Sequence, residues 1–153
     1  AGILHPDYVW HDYAQAWQAP GVGEDAVKEM FGLPSNETEE LLTAFGIPIE
    51  HARVLASAMD VTMGDCVLSL YRSAAQPEMA QIGRRLATKE KRPGLVFLAT
   101  EDPFTGTHAM CEAVAEGLGA NVCRLEGLGH WWMFAGAPTA ADALIDHWQF
   151  AGG

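Results

Sequence analysis

Only two stretches of this chain read as buried β-strands, and that scarcity constrains its fold more than any other feature. Leu95-Val96-Phe97-Leu98-Ala99 is a continuous apolar run of strand length, as expected of a strand covered on both faces. Asn121-Val122-Cys123-Arg124-Leu125 is the second. Between them Thr107 to Leu118 has a helical pattern that Gly119 stops, and a last helix is expected over roughly Thr139 to Phe150. Strand, helix, strand predicts a right-handed crossover between parallel neighbours. Two parallel strands do not make a sheet, because such strands need neighbours and helices on both faces. The expected class is therefore α/β, with the rest of the sheet supplied from elsewhere.

Residues 1–88 show no strand pattern. They read as short amphipathic helices punctuated by Pro20, Gly32-Leu33-Pro34, Gly46-Ile47-Pro48 and Pro77. Ser35, followed by Glu37, Glu39 and Glu40, marks a helix start near 36, and Thr62-x-x-Asp65 resembles a capping box for a helix starting near 63. The charged run Lys89-Glu90-Lys91-Arg92-Pro93 then marks a boundary, giving a helical region over 1–88 and an α/β region over 89–153.

Charge narrows the partners. Twenty acidic residues against nine basic ones give a formal charge of -11, which repels nucleic-acid phosphates and anionic lipid, so neither nucleic acid nor membrane is expected as a partner. No apolar run approaches the roughly 20 residues of a membrane span. Cys66, Cys111 and Cys123 form no CxxC pair, which fits a reducing, cytoplasmic setting. His108-x-x-Cys111 alone lacks the three or four converging ligands of a zinc site, so no metal and no cofactor is expected.

The loops after the two strands carry the chemistry. Thr100-Glu101-Asp102-Pro103 follows the first and Gly127-Leu128-Gly129-His130-Trp131 the second. Sites in open parallel sheets form outside the carboxyl ends of the strands, so Asp102 and His130 are expected to meet there. A carboxylate beside imidazole fixes its tautomer and stabilises the cation formed when the ring takes a proton. Glu101 is an alternative acid, and Asp-Pro after a strand is also a common turn.

Ala99-Thr100-Glu101-Asp102-Pro103-Phe104, followed by Gly129-His130-Trp131 and Ala137-Pro138, resembles the C-terminal end of the α/β-hydrolase fold. In that family the triad acid follows the seventh strand and the histidine the eighth, in this chain order. The resemblance implies that Asp102 and His130 are the catalytic acid and base, and that residues 1–88 are the cap. In some members the acid lies after the sixth strand, which would shift the role to Asp7. The sequence departs from the family in having no Gly-x-Ser-x-Gly or Gly-x-Asp-x-Gly elbow. The nucleophile is therefore expected from a complementary N-terminal half that has been removed or separated from this chain.

His11-Asp12-Tyr13-Ala14-Gln15-Ala16-Trp17-Gln18-Ala19-Pro20-Gly21 resembles the opening cap segment of epoxide hydrolases, and Ser69-Leu70-Tyr71-Arg72-Ser73 their last cap helix. That resemblance implies that Tyr13 and Tyr71 donate hydrogen bonds to the alkoxide formed on ring opening, while an aspartate of the missing half attacks carbon. Trp17 and Trp131 are the residues expected to meet a small apolar substrate. Tyr13 equally fits an aromatic helix face with Trp10 and Trp17. The first expectation is an epoxide hydrolase giving vicinal diols. The alternatives are a related dehalogenase, a serine carboxylesterase or lactonase, and a non-catalytic interaction chain.

Overall fold

The computed structural model of the chain describes residues 1–151. It is a mixed α/β structure dividing into two compact units, one of Trp10–Ala75 and the other of Ala1–Val9 with the described residues from Gln76 onward. The division does not fall at 88/89, where the charge run places it. Helix α6 (Glu78–Ala87) packs on a 3₁₀ turn (Gly2–Leu4) and on α7 (His108–Leu118), so it belongs with the strands. Gly83 faces the backbone of Leu4 with no room for a Cβ. Gln76 adds to this, donating from Nε2 to the carbonyls of Ile3 and His5 at 3.4 Å each. These are tertiary contacts across more than 70 residues, and charge patterning does not report them.

The Trp10–Ala75 unit is all helix: α1 (Asp12–Gln18), α2 (Val22–Phe31), α3 (Ser35–Ala44), α4 (Ile49–Ala58) and α5 (Val61–Ser73). Its core joins Val27 and Phe31 of α2 to Leu68 of α5, with Trp17, Met30, Met59 and Val67 packed around them. Met30 and Met59 thus fill core space. Gly64 lets α5 approach α2 closely, because a Cβ there would overlap the Val27 side chain. The cap of α5 is Asp60, whose carboxylate accepts from Met63 N–H at 2.8 Å; Thr62 lies inside the helix, so the expected capping box at Thr62 does not form. Arg72 closes the unit with a two-pronged ion pair to Glu24, each nitrogen donating to its own carboxylate oxygen at 2.8 Å. This guanidinium, with the Gly21 N–H at 2.7 Å, holds the Glu24 carboxyl down at about 2.

In the other unit β1 (Leu95–Ala99) and β2 (Asn121–Leu125) lie where the sequence places them and pair in parallel, with Leu95 opposite Asn121 and Ala99 opposite Leu125. Helix α7 joins them. Thr107 caps its start by accepting from Met110 N–H at 3.2 Å, and Gly119 ends it in the left-handed conformation (φ 70°). Leu98, Ala99, Cys111, Ala115, Leu125 and Ala140 are buried here. A short helix α8 (Trp132–Ala135), which the sequence pattern does not announce, precedes the terminal α9 (Ala137–Ala151). No single helix among the described residues is long and apolar enough to cross a membrane.

Candidate active site

The parallel register brings the carboxyl ends of β1 and β2 side by side, and a run of hydrogen bonds carries the pairing past the strands into both loops. Thr100 N–H donates to Leu125 O at 3.2 Å, and Glu101 N–H to Leu128 O at 2.9 Å. Gly127, at φ 72°, donates its N–H to Thr100 Oγ1 at 2.9 Å. The loop after β1 and the loop after β2 are thereby fixed to each other by two backbone bonds and the Thr100 hydroxyl.

Asp102 and His130 meet across this seam, His130 Nδ1 lying 3.0 Å from Asp102 Oδ2. The aspartate side chain is buried (5% exposed), while His130 stays accessible at 38%. The second oxygen, Oδ1, accepts from Phe104 N–H at 2.8 Å. The Asp-Pro turn and the partner of the imidazole are therefore one feature: one oxygen closes the turn and the other holds the ring.

Electrostatics keep this carboxylate charged. Burial pushes the Asp102 pKa up, but hydrogen bonds from His130 and Phe104 N–H, the imidazole charge and the Thr105 side chain together hold it below the usual aspartate value. A carboxylate can only accept, so Nδ1 carries a proton, and in the neutral form of the ring it is Nε2 that holds the lone pair. Nε2 makes no hydrogen bond to a described residue. Phe104 and Trp131 stand edge-on to the imidazole, each with ring centroids 5.1 Å away.

The other acids are elsewhere. Glu101 is exposed, and Asp7 lies beside His5, with Oδ2 3.9 Å from His5 Nδ1. His108 contacts the Thr100 carbonyl through Nε2 at 3.0 Å and Arg124 through Nδ1 at 3.4 Å, while Cys111 Sγ faces Thr105 O. Among the described residues no cluster of side chains fit to hold a metal ion occurs.

Tyr13, Trp17 and Tyr71 come together in the helical unit. Trp17 lies between the two tyrosines, 6.2 Å from Tyr13 and 4.7 Å from Tyr71 between ring centroids, and His11 borders all three. Tyr13 is 47% exposed, with Phe45 edge-on at 5.8 Å. Burial pushes the Tyr71 phenol pKa up. Aromatic packing accounts for the meeting of these tyrosines from opposite ends of the unit, and neither hydroxyl makes a hydrogen bond to a described residue.

No sequence pattern marks a role for Thr100, Phe104 or Tyr8. Tyr8 is buried and donates its hydroxyl to Phe104 O at 2.6 Å, bracing the acid's turn from the first residues of the chain. Nothing local in His5-Pro6-Asp7-Tyr8 signals this, since the partner is 96 residues away. Comparison with protein families, with curated proteins and with solved structures returns no match for this chain.

Proposed function

We propose that the chain supplies the acid and base of an α/β-hydrolase whose nucleophile lies on a complementary N-terminal half, and that the reaction is epoxide hydrolysis to a vicinal diol. The observation that carries the reading is the buried Asp102 carboxylate 3.0 Å from His130 Nδ1, with Nε2 left open. An aspartate of the partner half opens the ring by attack on carbon and becomes an ester. His130 Nε2 then takes a proton from water as its oxygen adds to the ester carbonyl, and when the ester bond breaks the imidazolium gives that proton to the leaving diol oxygen, restoring the neutral ring and the free carboxylate. Asp102 stabilises the imidazolium formed in that step.

Tyr13 and Tyr71 are the hydroxyl donors to the oxygen released on ring opening in this reading, and Trp17 and Trp131 bind a small apolar substrate. The two phenols share one aromatic cluster and have no hydrogen bond to a described residue that a substrate oxygen would have to displace. A two-stranded parallel sheet supports a complementary half, because strands of this kind are stable only inside a larger covered sheet.

The test is to purify the chain with whatever complementary polypeptide accompanies it, and to assay the pair on styrene oxide and on a p-nitrophenyl ester. Styrene glycol formation that His130→Ala abolishes is expected. Ester cleavage without epoxide turnover would move the reading to a serine esterase or lactonase. A well-folded chain with no companion and neither activity would leave a non-catalytic interaction chain.

A further inference from the structure

The cations of this acidic chain are not spread evenly. Arg84, Arg85, Lys89, Lys91 and Arg92 are five of its nine basic residues and fall within one short segment. All five are exposed, and none of their side chains is paired with a described residue, whereas Arg53, Arg72 and Arg124 each hold a glutamate. Arg84 and Arg85 occupy the last turn of α6, where they offset the partial negative charge of its terminal carbonyls. Lys89, Lys91 and Arg92 follow the helix and have no such task.

Those three cations border a hollow of about 520 Å³ on the surface of the β-containing unit. Its remaining lining is Leu86 from the end of α6, Leu118 from the end of α7, and Glu90. Leu86 is 43% exposed, so its side chain can be reached from this hollow. The volume lies within the range of small-molecule sites, and the lining pairs two leucines with three cations against one carboxylate. An anion loses hydration most readily where several unpaired cations already face it, and a hydrocarbon chain gains by covering the two leucines.

We propose that this hollow binds an amphiphilic anion: a phosphate or carboxylate head held by Lys89, Lys91 and Arg92, with an alkyl chain lying over Leu86 and Leu118. The ligand is a free amphiphile, or a single lipid that this local cluster of cations draws from a bilayer against the net charge of -11 carried by the chain as a whole. The site is separate from Asp102 and His130 and does not depend on the hydrolase reading. The strong negative charge of the rest of the chain disfavours extended polyanions and leaves a compact anion with an apolar tail as the better fit.

The test uses decyl phosphate, inorganic phosphate, and vesicles of phosphatidylcholine with or without phosphatidylglycerol. Calorimetry should show saturable binding of decyl phosphate below its micelle concentration, with inorganic phosphate weaker. The variant K89Q/K91Q/R92Q, changed only at exposed side chains, should bind about tenfold more weakly or worse, and Leu86→Ser should also weaken decyl phosphate while leaving inorganic phosphate unchanged. Co-sedimentation with phosphatidylglycerol vesicles in the absence of decyl phosphate binding assigns the bilayer source; the reverse assigns the free amphiphile. Binding of neither probe, or binding that the triple variant leaves intact, overturns the site.

Discussion

Gly127 donates its backbone N–H to the Thr100 hydroxyl at 2.9 Å, and through that bond the loop bearing Asp102 is tied to the loop bearing His130. Thr100→Val keeps the side-chain shape and removes the acceptor. The expected loss is about 1 kcal/mol of stability, since Gly127 is exposed and water can replace the hydroxyl. Urea unfolding measures it. If the seam positions the pair, the His130 Nδ1–H proton resonance should also move, and an unchanged resonance would count against that role.

Asp102 makes stability depend on pH with a definite sign. Its carboxyl is lowered in the folded state, so its contribution is fully present above the ordinary aspartate value near 3.9 and disappears as pH falls through the lower folded value. Asp102→Asn should flatten the unfolding free energy in that acid window relative to wild type. Under the proposed hydrolase function it should also cut turnover steeply, because the neutral amide neither fixes the Nδ1–H tautomer nor stabilises the imidazolium. Denaturant curves between pH 2 and 5 and a kcat determination at neutral pH separate the two effects.

Gly64→Ala should cost about 1 to 3 kcal/mol, because the added methyl meets the Val27 side chain and the Phe31 ring where α2 and α5 touch. Val27→Ala makes room for it. The double variant should therefore be less destabilised than the sum of the single ones, a coupling read from thermal or urea unfolding. Strict additivity would mean that the helices separate rather than collide.

Tyr13→Phe and Tyr71→Phe keep both rings of the cluster around Trp17 and remove hydroxyls that hold no described partner. Each should change stability by less than about 0.5 kcal/mol. On an epoxide each should lower kcat more than it raises KM, since a donor to a developing alkoxide acts mainly in the transition state. A wild-type rate in both variants would sink the epoxide reading while leaving Asp102 and His130 in place.

What the sequence disclosed follows the range of the forces involved. The bounds of β1 and β2 and the Thr107 and Gly119 ends of α7 are written in adjacent residues, through apolar runs and capping chemistry. Asp102 and His130 were legible because a parallel pair places both loops at one end of the sheet. The place of α6, the brace from Tyr8 to Phe104, and the choice of Asp60 over Thr62 as a cap were not. The first two depend on partners more than 70 residues away, and the third is a competition between neighbouring oxygens that only the final backbone path decides.

The pairing of Ala99 with Leu125 also sets a rule for how this chain can vary by inheritance. From Ala99 to Asp102, and from Leu125 to His130, the count of residues is fixed, because one insertion advances a loop by roughly 3 Å and would carry the imidazole out of reach of its carboxylate. The connection through α7 carries no such tally. Lengthening it between Thr105 and Thr107, beyond the contacts that Phe104 and Thr105 make to Asp102, or after Gly119 leaves both strand ends where they are. Descendants of this sequence should therefore gain and lose residues in that connection freely while keeping two short intervals at constant length, a signature of paired loops that can be recognised when every side chain between them has changed.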